Sequence, residues 1–390
     1  MKILLGITGS IAGYKSLELV RALRKQGAEV RIVLTQSALN FVTPLSCQTL
    51  SGNEVYFDQF VLTKGIKHLT LNEWSDMLVV APATANVIGK AACGIGDDLL
   101  TTTLISYRKP VLMVPAMDEG MWESPAVIRN VDVLKGDGVH FLEPSTGLLA
   151  SGKVGRGRFP SVDLIRKKIM AVLEKQKDLK GRKFLVSGGR TEEDLDPARV
   201  VTNRSSGLMG SEILQAIYCR NGEVRGVFGE VTCALPQDID IVRVRTSAEM
   251  LNALKSAFGW CDTLIMSAAI GDYKPRKTQT AKVHSTKYDL ELVKNADLLK
   301  TLGAQKTKQQ MVGFSLEDRD NLARAREKMK AKGLDLIVLN TSAAVGRDRI
   351  KASILREKKN PVALPEMTKW QLANRIVDEC MVQFEEKAKK

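Results

Sequence analysis

Two glycine-rich stretches have the residue types and spacing of sites for a phosphorylated ligand. In the first, the apolar run at 2–7 meets Gly9 and Ser10, Ile11 and Gly13 follow, and helical periodicity sets in at Leu19, Val20 and Leu23. In the second, the apolar run at 184–186 meets Ser187, Gly188 and Gly189. A polar excursion with Pro197 comes next, and the small residues at 205–210 open a helical pattern at Ile213, Leu214 and Ile217. A strand running through small residues into a helix start presents unpaired N–H groups and the positive end of the helix dipole, which together bind anions. The excursion between the two glycine clusters predicts a long loop, and loops beyond about 12–15 residues are mostly functional or disordered.

Other groups gather at predicted strand ends. The second strand, at 30–34, ends in Thr35, whose hydroxyl joins that of Ser10 near the first turn. The glycines do not follow GxGxxG and no acid ends that strand, so a mononucleotide phosphate fits better than a dinucleotide. MLVVAPATAN brings Thr84, Ala85 and Asn86 to a strand end, and VLMVPAMDEGMW brings Met117 and Asp118 to another. Ligands of open α/β sheets sit at the carboxyl ends of strands. His68, ahead of the helical LTLNEWSD, is a candidate base or a structural hydrogen-bonding residue. Asp97 and Asp98 either match the charge of a helix start or face a ligand. Further on, DTLIM runs into SAAIGDYKP with Ala268 and Asp272. NADLLK (Ala296, Asp297, Leu298, Leu299) starts a helix, and MVGFSLE ends near Phe314. Lys328 and Lys332 lie one turn apart on one face of NLARAREKMKAKG, as a phosphate clamp or an exposed basic face.

The elements that must position these groups alternate strand and helix, the pattern of doubly wound α/β sheets. With 390 residues, and a prior of about 100–200 residues per domain, two domains are expected, at 1–178 and 179–390. The net charge of +14 invites nucleic acid, but aromatics are only 5% and no RNA- or DNA-binding pattern occurs, so anionic small molecules are favoured. Six scattered cysteines without a CxxC pair argue against structural zinc and for a reducing compartment, hence a cytoplasmic protein. No apolar run of about 18 residues is present to span a membrane, and the start reads as strand and turn.

TGSIAGYK, His68 with LTLNEWSD, APATAN, PAMDEGMW and SGKVGRGRF resemble the flavin-dependent cysteine decarboxylases. SGGRTEEDLDPARVVTNRSSGLMG resembles phosphopantothenate–cysteine ligase, and the two in this order resemble the bifunctional family of coenzyme A biosynthesis. The resemblance implies two Rossmann-like domains, the first flavodoxin-like. It implies FMN at Gly9, Ser10, Ile11, Thr35, Thr84, Ala85 and Asn86, with His68 as base or carboxylate-orienting group and Met117, Gly152 and Arg158 in a substrate flap. For the second domain it implies CTP and Mg2+, the nucleotide lying against Ala268, Asp272, Lys282, Ala296, Asp297, Leu298, Leu299, Phe314, Lys328 and Lys332. There 4′-phosphopantothenate would attack CTP to give an acyl-cytidylate, from which the cysteine amine displaces CMP. Lys282 would steady the acyl–phosphate centre and Asn203 would help turn the intermediate over; metal ligands are not identified. The resemblance also implies a homo-oligomer of trimeric decarboxylase cores joined through ligase dimers, up to a dodecamer, with small-molecule partners and neither nucleic acid nor membrane.

Three departures stand out. PAMD replaces the family PAMN, so Asp118 stands where an asparagine contacts the substrate carboxylate, and a carboxylate there repels its like. Ser151 stands where the family has the cysteine that protonates an ene-thiolate. After Lys282, His284 and Ser285 follow in place of a lysine-rich run. An active decarboxylase is still expected, with Asp118 orienting substrate and another donor or water completing the reduction. The competing readings are a ligase carrying a flavin-binding module without this chemistry, and a nucleic-acid-binding protein.

Overall fold

Runs of buried apolar residues alternate with helices along the chain, and they assemble two separate sheets. The computed structural model describes residues 1–60, 66–174, 176–236, 239–284, 287–316, 322–340, 349–357 and 359–388. It divides into two units, Met1–Glu174 and Lys175–Lys390.

In the first unit, β1 (Lys2–Ile7), β2 (Glu29–Leu34), β3 (Val55–Tyr56), β4 (Met77–Ala83), β5 (Val111–Pro115) and β6 (His140–Phe141) pair in parallel. Their order is β3-β2-β1-β4-β5-β6. Without the two-residue edge strand β3, this is the flavodoxin arrangement, with its switch between β1 and β4. Every residue of β4 is buried, as a strand covered on both faces must be. Period-two alternation sends Ile3, Leu5 and Ile7 toward Leu19, Leu23 and Ile165 on one face, while Leu4 packs with Leu71, Val87 and Leu100 on the other. An antiparallel hairpin, β7 (Ser145–Leu148) and β8 (Val154–Arg158), stands outside this sheet.

The second unit starts with β9 (Lys183–Gly188), β10 (Glu192–Asp196), β11 (Arg199–Thr202), β12 (Glu223–Phe228), β13 (Asp240–Arg243) and β14 (Thr263–Met266). It continues through β15 (Tyr273–Pro275), β16 (Leu292–Lys294), β17 (Gln310–Leu316), β18 (Leu336–Asn340), β19 (Arg349–Ile350), β20 (Ala352–Arg356), β21 (Val362–Ala363) and β22 (Met367–Thr368). Its main sheet runs β13-β12-β9-β14-β17-β18-β20-β21, parallel as far as β18 and antiparallel beyond. Both units are thus doubly wound and Rossmann-like, as the sequence predicts.

One expectation needs correction. The excursion after Gly189 is not a loop but the antiparallel hairpin β10–β11. Pro197 sits in its turn, where proline removes no ladder hydrogen bond, and the Asp196 carboxylate accepts from Ala198 N at 2.8 Å to close that turn. The acidic EEDLD strand offers little apolar signal of its own, and it is its partner Arg199–Thr202, with Val200 and Val201, that has strand propensity.

The second unit is pinned by a buried guanidinium. Arg220, with 2% of its side chain exposed, donates to both oxygens of Asp178 at 2.9 and 2.6 Å and to Asp378 of helix Lys369–Ala388 at 2.6 Å. The hydrogen bonds from Arg220 hold the Asp178 carboxyl below its ordinary pKa against the opposing effect of burial. A carboxyl depressed in the folded state stabilises above its unfolded value of about 3.9, and that contribution is lost as the pH falls through the folded value. The double variant Asp178→Asn, Asp378→Asn strands a buried cation. It is expected to cost about 3 kcal/mol, the lower end of the range because both carboxylates are partly hydrated, and to blunt the acid-induced loss of stability. Urea unfolding of variant and parent from pH 7 to pH 3 checks both outcomes.

Candidate functional site

The carboxyl ends of β1 and β4 are stitched by a single hydroxyl. Thr8 Oγ1 donates to Pro82 O at 2.7 Å and accepts from Thr84 N at 3.2 Å. The turn after β1 passes so close to the next layer that a Cβ on Gly9 would lie 2.4 Å from Ser37 Cβ, which excludes any side chain there. Ser10 Oγ donates to Ala116 O at 3.3 Å at the end of β5. Thr84 caps helix Ala85–Ala92 by accepting from Val87 N, leaving the first-turn N–H groups of Ala85 and Asn86 at a positive helix end. Above these groups opens a cavity of about 610 Å³, whose walls include Gly9, Ser10, Ile11, Thr84, Met117, Asp118, Ser151 and Arg158. Thr35, at the end of β2, is 7% exposed, and its hydroxyl has no hydrogen-bond partner among the described residues. Thr35 does not itself line the cavity, but a buried hydroxyl with no partner next to the turn after β1 can take a polar ligand, and with the free helix-start N–H groups these residues fit a flavin mononucleotide.

The hairpin β7–β8 covers one side of this cavity. Met117 N donates to Gly157 O at 3.1 Å, and a Cβ on Gly157 would meet Met117 O at 2.1 Å, so the two backbones touch. Arg156 N donates to Glu119 Oε1 at 2.8 Å, and the Arg156 guanidinium pairs with Glu143. Gly152 takes the positive φ of +81° in the hairpin's tip. Asp118 caps the short helix Glu119–Trp122, its Oδ1 accepting from Gly120 N at 3.1 Å. Its Oδ2 accepts from Ser151 Oγ at 3.2 Å. The two positions at which the first half departs from its family pattern are therefore in direct contact.

His68 is not brought to this wall. It is half-buried near the start of helix Lys67–Trp74, which feeds β4 and so begins on the carboxyl side of the sheet, but it does not line the cavity. Asp97 and Asp98 are accounted for locally. Asp98 forms a capping box with Thr101, and Asp97 pairs with Lys90 at 2.8 Å.

In the second unit a cavity of about 970 Å³ opens at the carboxyl ends of β9, β14, β17 and β18. Asn203, Ser205, Ser206, Ala268, Asp272, Phe314 and Asn340 line it. Helix Leu208–Cys219 starts there behind Gly207, which has a φ of +77°. That helix rides tightly on β9, since a Cβ on Gly210 would lie 2.9 Å from Gly188 Cα. Ser267 Oγ donates to Ser187 O at 2.6 Å, tying the end of β14 to β9. Asn340 Oδ1 is buried with no partner among the described residues.

The remaining expected nucleotide residues do not themselves line this cavity. Lys328 Nζ donates to Phe314 O at 3.2 Å and Ser315 Oγ at 3.0 Å, two residues of the cavity wall. Lys332 pairs with Asp297 at 2.8 Å. Asp297 also caps helix Leu298–Gly303, accepting from Lys300 N at 3.0 Å. Burial pushes its carboxyl up, but Lys332 and that N–H outweigh it and hold the pKa below the ordinary value. Leu298 and Leu299 are core residues at 2% and 9% exposure, so only their backbone can face a ligand, whereas Ala296 is exposed. Lys282 is exposed beside the hairpin β10–β11, because its neighbour Val283 donates to Asp196 Oδ2 at 3.2 Å and accepts from Arg199 at 2.8 Å. Ser285 lies outside the described residues. Ser205 and Ser206 belong to the 205–210 stretch that the sequence marks as an anion site, whereas Ser267 and Asn340 carry no such signal.

Residues 1–174 match the Flavoprotein family, and residues 179–383 match the DNA/pantothenate metabolism flavoprotein C-terminal domain. The coenzyme A biosynthesis bifunctional protein CoaBC of Bacillus subtilis (strain 168) is 39% identical over 389 residues, covering 97% of this chain and 96% of that one. Its counterpart in Mycobacterium tuberculosis (strain ATCC 25618 / H37Rv) is 35% identical over 401 residues, covering 97% and 95%. A cysteine/cysteine sulfinic acid decarboxylase from an unknown prokaryotic organism is 39% identical over 350 residues, 86% of this chain and 98% of that one. Among solved structures, the C-terminal domain of a coenzyme A biosynthesis bifunctional protein CoaBC is 29% identical with a TM-score of 0.48, covering 54% of this chain and 100% of that one. With both halves matched in order and relatives aligned over nearly their whole length, the chain belongs to the family of coenzyme A biosynthesis bifunctional proteins.

Proposed function

We propose that the second unit joins cysteine to 4′-phosphopantothenate using CTP, and that the first unit, carrying FMN, decarboxylates the 4′-phosphopantothenoylcysteine so formed to 4′-phosphopantetheine. One observation carries the reading: each unit opens its own cavity at the carboxyl edge of its own sheet, at the switch point where such folds bind ligands. A ligase on an inert flavin-binding scaffold is not favoured, because full-length relatives carry both halves.

For the ligation, a carboxylate oxygen is a poor leaving group, and cytidylation converts it into a good one. Catalysis of that transfer is positioning and charge stabilisation. The start of helix Leu208–Cys219, with Ser205 and Ser206, offers N–H and hydroxyl donors to phosphate. Asp272 contacts the cytosine from the cavity wall. Lys328 and Lys332 reach the triphosphate by exchanging Phe314 O and Asp297 for phosphate oxygens, and Lys282 steadies the acyl–phosphate centre from the rim. Asn203, on the wall, acts when the amine displaces CMP. A magnesium ion would supply charge neutralisation to the triphosphate if it arrives bound to it; among the described residues no group of three His, Cys, Asp or Glu side chains could hold it.

For the decarboxylation, FMN supplies a two-electron reservoir without which the carboxylate has no route to leave. Ser10, Thr35 and the helix start at Thr84–Asn86 hold the cofactor, Met117 and the hairpin exclude water, and His68 orients the carboxylate or takes a proton. Ile11 on the cavity wall is 57% exposed, an apolar group that a second copy of the chain would cover. This favours a homo-oligomer, with trimeric decarboxylase cores and ligase dimers. The six cysteines form no disulfide, in keeping with a cytoplasmic location.

Purified protein given 4′-phosphopantothenate, cysteine and CTP is expected to release pyrophosphate and carbon dioxide; pyrophosphate without carbon dioxide would remove the second activity. Lys282→Gln is expected to abolish ligation in a folded protein, and Asn203→Asp to accumulate acyl-cytidylate detectable by mass spectrometry. Thr35→Val removes the orphaned hydroxyl, so flavin-free protein is expected to hold or gain about 1 kcal/mol while FMN binding weakens about fivefold. Flavin-fluorescence titration beside thermal unfolding reads both, and unchanged FMN affinity would take Thr35 out of the site.

A further inference from the structure

Asp118 is the one acid among the described residues lining the first cavity, and Lys15 and Arg158 are the two cations there. The carboxylate is held in place from three sides. Oδ1 is fixed by Gly120 N–H, Oδ2 by the Ser151 hydroxyl, and the backbone just before it is wedged against Gly157. An ionised carboxylate accepts at about four sites, so two bonds leave it able to take a further donor. Neither Lys15 nor Arg158 pairs with a carboxylate among the described residues. The cavity thus offers one fixed negative group and two available positive ones, which is the complement of a zwitterion.

We propose that Asp118 recognises a free α-ammonium, so that the first unit decarboxylates unacylated cysteine as well as the N-acylated cysteine of the main reaction. The inference rests on the flavin-decarboxylase reading above. In free cysteine the α-carboxylate faces Lys15 or Arg158 while the ammonium faces Asp118. In an acylated cysteine that nitrogen is an uncharged amide, which keeps one hydrogen bond to Asp118 and loses the ion pair. An asparagine at this position presents no net charge and cannot make the distinction.

The reaction balances as cysteine zwitterion plus a proton giving carbon dioxide and 2-aminoethanethiol in its ammonium form. The bond from Cα to the carboxylate breaks, its electron pair stays with the carbon skeleton, and a C–H bond forms at Cα. Two electrons withdrawn from the Cβ–S group to the flavin before that break are returned after it, so no outside oxidant is needed.

The test uses the FMN-loaded full chain and its Asp118→Asn variant, which keeps the helix cap because asparagine caps as well as aspartate. Binding of S-methyl-L-cysteine and N-acetyl-S-methyl-L-cysteine, thiols blocked against turnover, is measured by calorimetry. Carbon dioxide release is measured from L-cysteine and from 4′-phosphopantothenoylcysteine. Asp118 is exposed in the single chain, so the expected preference for the free amine is modest, about threefold to tenfold, and it disappears in the variant. Equal or absent binding of the two ligands, or a preference that survives Asp118→Asn, overturns the inference. Carbon dioxide from the acylated substrate but none from cysteine overturns it alone; none from either overturns the decarboxylase reading beneath it.

Discussion

Parallel pairing of β1 with β4 and of β9 with β14 is the constraint on which both sites depend. Parallel neighbours need crossovers, so each strand end releases its chain toward a helix that begins on the same edge. At the switch point the crossovers depart to opposite faces, and the edge there is left uncovered. The first unit fills that gap with small groups bridging the strands, Thr8 Oγ1 between β1 and β4 and Ser10 Oγ toward β5. The second does the same with Ser267 Oγ between β14 and β9. A larger side chain at any of these positions would fill the space a phosphate or a flat ring needs.

The parts of this arrangement legible in sequence are those written locally. Buried strands announce themselves by composition, and glycines by the close approaches they permit, as at Gly9 and Gly210. What escapes is set by contacts between residues far apart in the chain. The hairpin β10–β11 was hidden because EEDLD has a surface composition and its partner strand supplies the propensity. Asp118 and Ser151, 33 positions apart, read as two separate departures until the hairpin brings one onto the other. Lys332 reads as half of a basic face, yet its partner Asp297 is supplied by a different helix start. Asn340 has no sequence signal beyond ending a strand; only the lack of a partner for its buried oxygen marks it.

On the proposed reading, the internal partners of Lys328 and Lys332 would set the terms on which a triphosphate is met. A half-buried lysine without acceptors would be costly, and here Phe314 O and Ser315 Oγ accept from Lys328 while the Asp297 carboxylate pairs with Lys332. Phosphate binding then becomes an exchange of one set of acceptors for another, and its net strength is the difference between them. The depressed pKa of Asp297 reports the same coupling from the acid's side, since whatever draws Lys332 away leaves that carboxylate to its helix N–H and the more distant charge of Lys328.

The contact between Asp118 and Ser151 links the chemistry of the two departures. A cysteine beside a carboxylate would have its thiolate disfavoured by the like charge, which makes the thiol a weaker acid than its reference pKa of about 8.5. With Asp118 in place, a cysteine at 151 would therefore lose much of the acidity that suits it to proton donation. A serine gives up little by comparison, because its hydroxyl is a poor proton donor to carbon in either setting. Here it makes a neutral O–H bond to Asp118 and helps hold that carboxylate against the cavity. On the proposed reading Ser151 would act as a positioning residue, and the proton that completes the reaction would arrive from water or from a group outside this pair. Together the aspartate and the serine give the wall a fixed charge and the hydroxyl that orients it, where the resemblance implies a neutral amide and an acidic thiol.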